Sequence, residues 1–350
     1  MSNSKRSLSH VKGCLLAGAV GDALGAPVEF LSLHQILSQY GTDGIADYVP
    51  AYGRKGAITD DTQMTLFTAE GLILSHVRGN PADLSQIPVF VWQAYLRWLS
   101  TQQMTNPDQL MKRYGSCVMA DGVLITRKEL YAQRAPGRSC LSALMRGKMG
   151  TVASPINDSK GCGGIMRISP VGYFLKPESV FDMACEIAAI THGHPTGYLA
   201  AGCLAQIICE ISYGRDMLNA VDNTLKILRT KPNHQECLEA VQNALHAAEK
   251  EPVCFATVEK LGKGWIAEEA LAISLYCAIV AGQDFEKGMR LAVTHRGDSD
   301  STGSIAGNII GAMHGKEIIP DKYLHELELM DTIEEIAADL FARMPDRSSI

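Results

Sequence analysis

The sequence predicts an all-α protein, a single-domain bundle of many helices. Apolar residues recur every three or four positions through most of the chain, and no strand-like alternation of convincing length is present. A composition of 46% hydrophobic and 20% charged residues is ordinary for a globular protein with a substantial core. We divide the 350 residues into a polar N-terminal arm, residues 1–10, and one helical domain, residues 11–350.

The first helix is predicted over residues 11–27, where glycines give one face small side chains and Pro27 ends the helix. Residues 31–58 contain many glycines and prolines and are predicted to be irregular. The next helix begins at residues 59–62, and a polar, glycine-rich loop is predicted over residues 147–169. Further helices are predicted over residues 84–100, 107–120, 139–146, 178–190, 196–213, 216–229, 234–250, 266–281, 284–293, 302–314 and 332–343.

Charge and cysteine usage exclude several classes of protein. A net charge of −6 argues against nucleic-acid binding, because no basic excess exists to neutralise phosphates. The ten cysteines include no CxxC pair, a pattern typical of reduced thiols in a cytoplasmic protein. The apolar run near the N-terminus is short and interrupted by Asp22, so we expect neither a signal peptide nor a membrane span.

Acidic and hydroxyl side chains gather at two predicted helix starts, roughly 240 residues apart, and one further acid follows the first helix. These residues are Glu29, Thr59, Asp60, Asp61, Asp298, Asp300 and Ser301. Such side chains cap helix N-termini and also bind hard cations, so each cluster alone is consistent with either role. Neighbouring carboxylates repel unless a cation or proton separates them. If the segments meet in the fold, their five carboxylates would suffice for two divalent ions.

A glycine-rich stretch over residues 161–167 is a candidate anion site. Glycines let backbone N–H groups approach phosphate oxygens, and Arg167 could add a charged donor. The stretch matches neither a Walker loop nor a dinucleotide fingerprint, and taken alone it favours a plain flexible loop. His192 and His194 could contact a ligand or a transition metal, but a structural role is equally open for His192 and for His295.

Taken together, these motifs closely resemble the ADP-ribosylglycohydrolase family, the ADP-ribosyl-acceptor hydrolases. The matching pieces occur in family order from Lys12 to Gly315. They read GCLLAGAVGDALGAPVEF, ITDDTQMTLFTAEGL, GCGGIMRISPVG, THGHPTGYLAAG, LGKGWIAEEALAISLY and HRGDSDSTGSIAGNIIGA.

The resemblance implies an all-α fold with two Mg²⁺ or Mn²⁺ ions. Motif by motif, Thr59, Asp60 and Asp61 would bind one ion. Asp298 and Ser301 would bind the other, and Asp300 would bridge both. The resemblance also implies that Glu29 lies near the scissile bond and that His192 approaches the ribose. The diphosphate would bind to Gly161, Cys162, Gly163, Gly164, Ile165 and Met166.

Two positions depart from the family pattern. Arg296 stands where many relatives carry glycine and could narrow or recharge the mouth of the metal site. Cys162 stands where many relatives carry asparagine, which removes an amide donor from the phosphate loop. Neither departure removes an implied metal ligand, so the implied activity is retained.

The expected reaction is hydrolysis of ADP-ribosyl-arginine on a modified protein, with Glu29, Asp61 and Asp300 as catalytic residues. An alternative is an immunity protein that also captures an ADP-ribosylating toxin through the basic arm containing Lys5 and Arg6. A third interpretation is a helical scaffold in which the acidic clusters are only caps.

Overall fold

The computed structural model describes residues 5–103, 106–115 and 122–345. Within these ranges it contains helices and two isolated β-bridges but no strand, which confirms the predicted all-α class. The α-helices are α1 Leu8–Gly25, α2 Leu33–Tyr40, α3 Asp60–Arg78, α4 Ile87–Thr101, α5 Pro107–Tyr114, α6 Arg138–Met145, α7 Val171–Phe174, α8 Pro177–Ala189, α9 Pro195–Ser212, α10 Met217–Leu228, α11 Gln235–Lys250, α12 Phe255–Lys260, α13 Ala267–Ala281, α14 Phe285–Val293, α15 Ser299–His314, α16 Asp321–Glu326 and α17 Met330–Phe341. Turns of 3₁₀ helix are Leu84–Gln86, Leu124–Thr126, Lys128–Leu130, Cys162–Gly164 and Lys316–Ile318.

Four helices were not predicted: α2, α7, α12 and α16. Helix α2 lies in the stretch predicted to be irregular, and a capping box stabilises its start. In that box the Gln35 N–H donates to Ser32 Oγ, and the Ser32 N–H donates to Gln35 Oε1 at 2.9 Å. The other three have six residues or fewer, too short for a periodic signal. Residues 116–120 of the helix predicted over residues 107–120 lie outside the described ranges.

Helices α1 and α15 pack against each other along their length and form the centre of the bundle. Every residue of α1 from Gly13 to Gly25 is buried, so this helix has no solvent-facing side there. The glycine stripes make the contact close: a Cβ added at Gly307 would lie 2.0 Å from the Ala17 carbonyl oxygen. A Cβ at Gly25 would lie 2.3 Å from the Ser299 carbonyl oxygen, so the end of α1 touches the start of α15.

The N-terminal segment contacts the domain. Helix α1 begins at Leu8, so the last residues of the predicted arm are helical. The Lys5 N–H donates to the Ser212 carbonyl oxygen at 3.0 Å, and the Arg6 guanidinium lies over the ring of Tyr213. The described part of the arm is therefore engaged by its own domain, and toxin capture by the arm stays a prediction.

The sequence predicted that the chain has no membrane span and that its cysteines are reduced. Across the described ranges, no helix combines the length and the apolar character that crossing a bilayer requires. The cysteines in these ranges are free thiols, and most of them are buried. Cys162 is partly buried and Cys254 is exposed.

Candidate metal centre

A cavity of ≈ 380 Å³ lies where the turn after α1, the start of α3 and the start of α15 meet. Most of the site residues that the sequence predicted line this cavity. Those lining it are Glu29, Asp60, Asp61, Gly161, Cys162, Gly163, Met166, His192, Asp298, Asp300 and Ser301. Thr59, Gly164 and Ile165, which were also predicted, are not among the lining residues. The two acidic helix starts, distant in sequence, therefore face one space.

The start of α3 is held in place by Asp22, a buried residue of α1. Its carboxylate accepts hydrogen bonds from the Thr59 N–H at 3.0 Å and from the Thr62 N–H at 3.1 Å. Thr59 in turn caps α3, because its Oγ1 accepts from the Asp61 N–H at 3.3 Å. This positioning role was not predicted, although an aspartate within an apolar helix is a signal for it in the sequence.

The start of α15 supplies the opposite wall. Asp298 caps the helix, with its Oδ1 accepting from the Ser301 N–H at 3.3 Å. The Asp300 Oδ1 accepts from the same N–H at 3.0 Å. One carboxylate oxygen from each of Glu29, Asp298 and Asp300 lies within 4.8 Å of the others. The Cys162 thiol donates to Asp298 Oδ2 at 2.8 Å, so the glycine-rich loop touches this wall directly.

Burial raises the pKa of every carboxylate in this cluster, and repulsion by neighbouring carboxylates raises it further at all of them except Asp298. For Asp60 and Asp61 the loss of solvation is the larger cause, and the charge of Asp300 is the next. The same two causes raise the pKa of Glu29 to about 10 and that of Asp22 to about 7. Holding several of these groups ionised together therefore requires a compensating positive charge.

The donor atoms present fit divalent cations. Glu29 Oε2 and Asp61 Oδ1 are buried oxygens without a hydrogen-bond partner among the described residues. Such oxygens are costly to bury unless they bind something. Carboxylate and hydroxyl oxygens are the ligands that Mg²⁺ and Mn²⁺ prefer, and Glu29, Asp60, Asp61, Asp298, Asp300 and Ser301 offer them here.

The glycine-rich loop forms the third wall, but much of its backbone is already engaged. The Cys162 N–H donates to the Trp265 carbonyl oxygen at 3.2 Å. The N–H groups of Ile165 and Met166 both donate to the Cys162 carbonyl oxygen. The predicted anion contacts would then depend mainly on Gly163, whose backbone lines the cavity.

Arg167 does not supply the charge expected of it at this loop. Its fully buried guanidinium points into the core, where Nη2 donates to Thr191 Oγ1 at 2.6 Å. The same group lies 4.3 Å from the centre of the Tyr95 ring. The charged donor that the sequence suggested for this loop is therefore directed into the core, where its guanidinium has other partners.

The three histidines differ in their surroundings. His192 lines the cavity, and burial together with the nearby Arg167 charge lowers its pKa to about 3, so it is neutral. His194 Nδ1 accepts from the Thr196 N–H at 3.2 Å and caps α9. The His295 ring is buried and bonded to Thr302 Oγ1. The three rings therefore do not form a shared metal site.

Residues at the mouth of the cavity carry recognition chemistry that the sequence alone did not reveal. Arg138, exposed at the start of α6, lines the cavity and brings a positive charge to it. Phe30 and Trp265 stack with ring centres 5.8 Å apart on another side of the mouth. Arg296, expected to recharge this mouth, instead places its guanidinium Nε 3.5 Å from a carboxylate oxygen of Glu259.

Comparisons with known proteins match nearly the whole chain. The ADP-ribosylglycohydrolase family model matches residues 3–349. An uncharacterized protein of Archaeoglobus fulgidus is 30% identical over 338 residues, which cover 94% of this chain and 95% of the relative. The ADP-ribosyl-[dinitrogen reductase] glycohydrolase of Rhodospirillum rubrum is 24% identical, with coverages of 91% and 90%. The ADP-ribosylarginine hydrolase Tri1 of Pseudomonas putida is 22% identical, with coverages of 97% and 80%.

A solved structure shows the same architecture. An ADP-ribosylglycohydrolase-related protein complex superimposes with a TM-score of 0.65 at 25% identity. The alignment covers 97% of this chain and 99% of that chain, so the likeness extends to the whole fold. On the family match and this shared fold, the chain belongs to the ADP-ribosylglycohydrolase family.

Proposed function

We propose that this protein is a metal-dependent hydrolase that releases ADP-ribose from modified arginine side chains of proteins. One observation carries the proposal: carboxylates from three distant segments line one cavity, and two of their buried oxygens have no partner among the described residues. Two relatives named above, an ADP-ribosylarginine hydrolase and an ADP-ribosyl-[dinitrogen reductase] glycohydrolase, support the choice of a protein-linked substrate. The name of the first supports the arginine linkage.

The residues of the cavity would have three roles: to hold the metal ions, to contact the substrate and, for Glu29, to activate water. The metal-holding side chains would be Asp60, Asp61, Asp298, Asp300 and Ser301, with Thr59 fixing the start of α3. When bound, two divalent ions would polarise the ribose hydroxyls and lower the pKa of a water molecule. Gly163 and His192 would contact the diphosphate and the ribose from the opposite wall.

Glu29 is our candidate for the general base. Its carboxylate faces Asp298 and Asp300, and its Oε2 has no hydrogen-bond partner among the described residues. Hydrolysis at C1″ of the ribose passes through a state with oxocarbenium character, which needs an activated water and nearby negative charge. With the compensating positive charge of bound ions keeping it ionised, Glu29 would take the proton from that water, and the carboxylates of Asp61 and Asp300 would stabilise the positive charge on the sugar.

The test is turnover of defined substrates by the purified protein. Peptides carrying ADP-ribose on arginine or on serine, and O-acetyl-ADP-ribose, should be compared with Mn²⁺, with Mg²⁺ and with a chelator. We expect release from the arginine peptide that the chelator abolishes. Asp61→Ala and Asp300→Ala should also abolish it, whereas Asp222→Ala, which removes an exposed carboxylate of α10, should not. Metal-supplied protein that releases ADP-ribose from none of these substrates would contradict the proposal.

A further inference from the structure

Cys162 places a sulfur atom against the carboxylates of the cavity. Its Sγ lies 2.8 Å from Asp298 Oδ2, and the residue lines the same cavity as Glu29 and Asp61. The backbone around it is fixed, because its N–H donates to the Trp265 carbonyl oxygen and its carbonyl oxygen accepts from the N–H groups of Ile165 and Met166, just after the 3₁₀ turn that Cys162 begins. The thiol therefore meets Asp298 from a fixed backbone position.

A second observation points independently to a ligand at this place. Glu29 and Asp61 are each more than nine-tenths buried, and each has a carboxylate oxygen without a partner among the described residues. Both residues line the cavity into which the Cys162 thiol projects. The donor atoms around this space are thus several oxygens and one sulfur.

The spacing of the sulfur and the oxygen suits two ligands of one ion. A divalent zinc ion binds sulfur at about 2.3 Å and carboxylate oxygen at about 2.0–2.2 Å. At ligand–metal–ligand angles of about 90–110°, these lengths place the two donors roughly 3–3.7 Å apart. Cys162 Sγ and Asp298 Oδ2 would therefore have to separate by less than about 1 Å to share an ion.

We propose that Cys162 is a metal ligand, and that the ion held by Asp298 is bound by mixed oxygen and sulfur donors. The proposal rests on the proposed function, since it concerns the same metal centre. On coordination the thiol loses its proton to solvent and the sulfur binds the ion as a thiolate. Thiolate donors favour zinc and cobalt over magnesium, so this centre is expected to prefer softer divalent ions than an all-oxygen site.

The decisive measurement is the absorption spectrum of the Co²⁺-loaded protein. A thiolate bound to Co²⁺ gives an intense sulfur-to-cobalt charge-transfer band in the near ultraviolet, which oxygen ligands do not give. We expect this band in the wild type and in the matched control Cys254→Ser, which changes an exposed cysteine outside the cavity. In Cys162→Ser the band should be lost, and Zn²⁺ binding should weaken by about tenfold or more while Mn²⁺ binding changes much less.

The possible outcomes separate the sulfur ligand from the proposed function. Wild-type protein that binds Co²⁺ without the band would overturn the sulfur ligand and leave the metal-dependent hydrolase standing. A band that persists in Cys162→Ser would assign the sulfur to another cysteine and also overturn the inference. Protein that binds neither Co²⁺ nor Mn²⁺ would overturn the proposed function as well.

A second readout uses the wild type alone and so does not depend on the folding of a variant. Iodoacetamide labelling is followed by mass spectrometry of the peptides that contain Cys162 and Cys254. We expect Zn²⁺ to slow alkylation of Cys162 severalfold and to leave Cys254 unchanged. Equal labelling of Cys162 with and without Zn²⁺ would contradict coordination.

Discussion

Replacing Gly307 by alanine tests the close contact between α1 and α15. The added Cβ would lie 2.0 Å from the Ala17 carbonyl oxygen, whereas real Cβ contacts essentially never fall below 3.0 Å. Because the obstacle is backbone, the two helices must move apart. Overpacking of this kind typically lowers the free energy of unfolding by about 1–3 kcal/mol. The higher helix propensity of alanine offsets about 1 kcal/mol of this loss. Because the clash is with backbone, the cost should lie at the upper end of that range, and we expect a net loss of about 2 kcal/mol in the free energy of unfolding, measured by urea denaturation.

Gly18 provides the control, because a Cβ added there would meet a side chain rather than backbone. A Cβ at Gly18 would lie 2.0 Å from Nδ2 of Asn308, which is the end of a side chain. The Gly18→Ala defect should therefore be partly relieved by Asn308→Ala, so the double variant should be more stable than the sum of the single changes predicts. No side-chain truncation should rescue Gly307→Ala. A Gly307→Ala protein as stable as the wild type would refute the close helix contact.

Three further predictions concern charge. Burial and repulsion by Asp300 raise the pKa of Asp22 to about 7, above its unfolded value, so the folded protein favours the protonated carboxyl and this stability is lost as pH rises through the folded pKa. Urea unfolding of the metal-free protein should therefore show stability falling from about pH 4 to about pH 7, and Mn²⁺ should reverse the fall. Arg138→Ala should weaken ADP-ribose binding about tenfold in calorimetry, and Arg146→Ala, outside the cavity lining, should not. Glu70→Ala should cost about 3–5 kcal/mol in urea unfolding, because it removes the carboxylate partner, at 2.8 Å, of a fully buried guanidinium, that of Arg97. The first prediction would be contradicted by a stability that rises with pH. The second would be contradicted by unchanged ADP-ribose binding in Arg138→Ala, and the third by a Glu70→Ala protein with nearly the wild-type free energy of unfolding.

Much of the fold was predictable because its signals are local. Apolar periodicity located the long helices, and capping residues such as Thr59 and Asp298 marked where two of them begin. The small-residue faces of α1 and α15 anticipated close packing, which the structure places between these two helices. The short helices were missed because six residues or fewer cannot establish a period.

Long-range features of the site were not predictable from local pattern. The apolar helix around Asp22 marks its carboxylate as unusual, but it does not show that this carboxylate holds the start of a helix some forty residues later. The direction of an arginine side chain depends on tertiary packing, so the sequence did not show that Arg167 points into the core or that Arg138 lines the cavity. The resemblance to a known family predicted that the acidic segments form one site. It did not predict the contact between Cys162 and Asp298.

The central claim is that the acidic helix starts of α3 and α15 hold divalent ions in one cavity. Anomalous diffraction from crystals grown with Mn²⁺ tests this most directly. We predict two manganese peaks inside the cavity, within ligand distance of Asp61 and Asp300. A well-ordered crystal with no manganese peak between these two carboxylates would contradict the account.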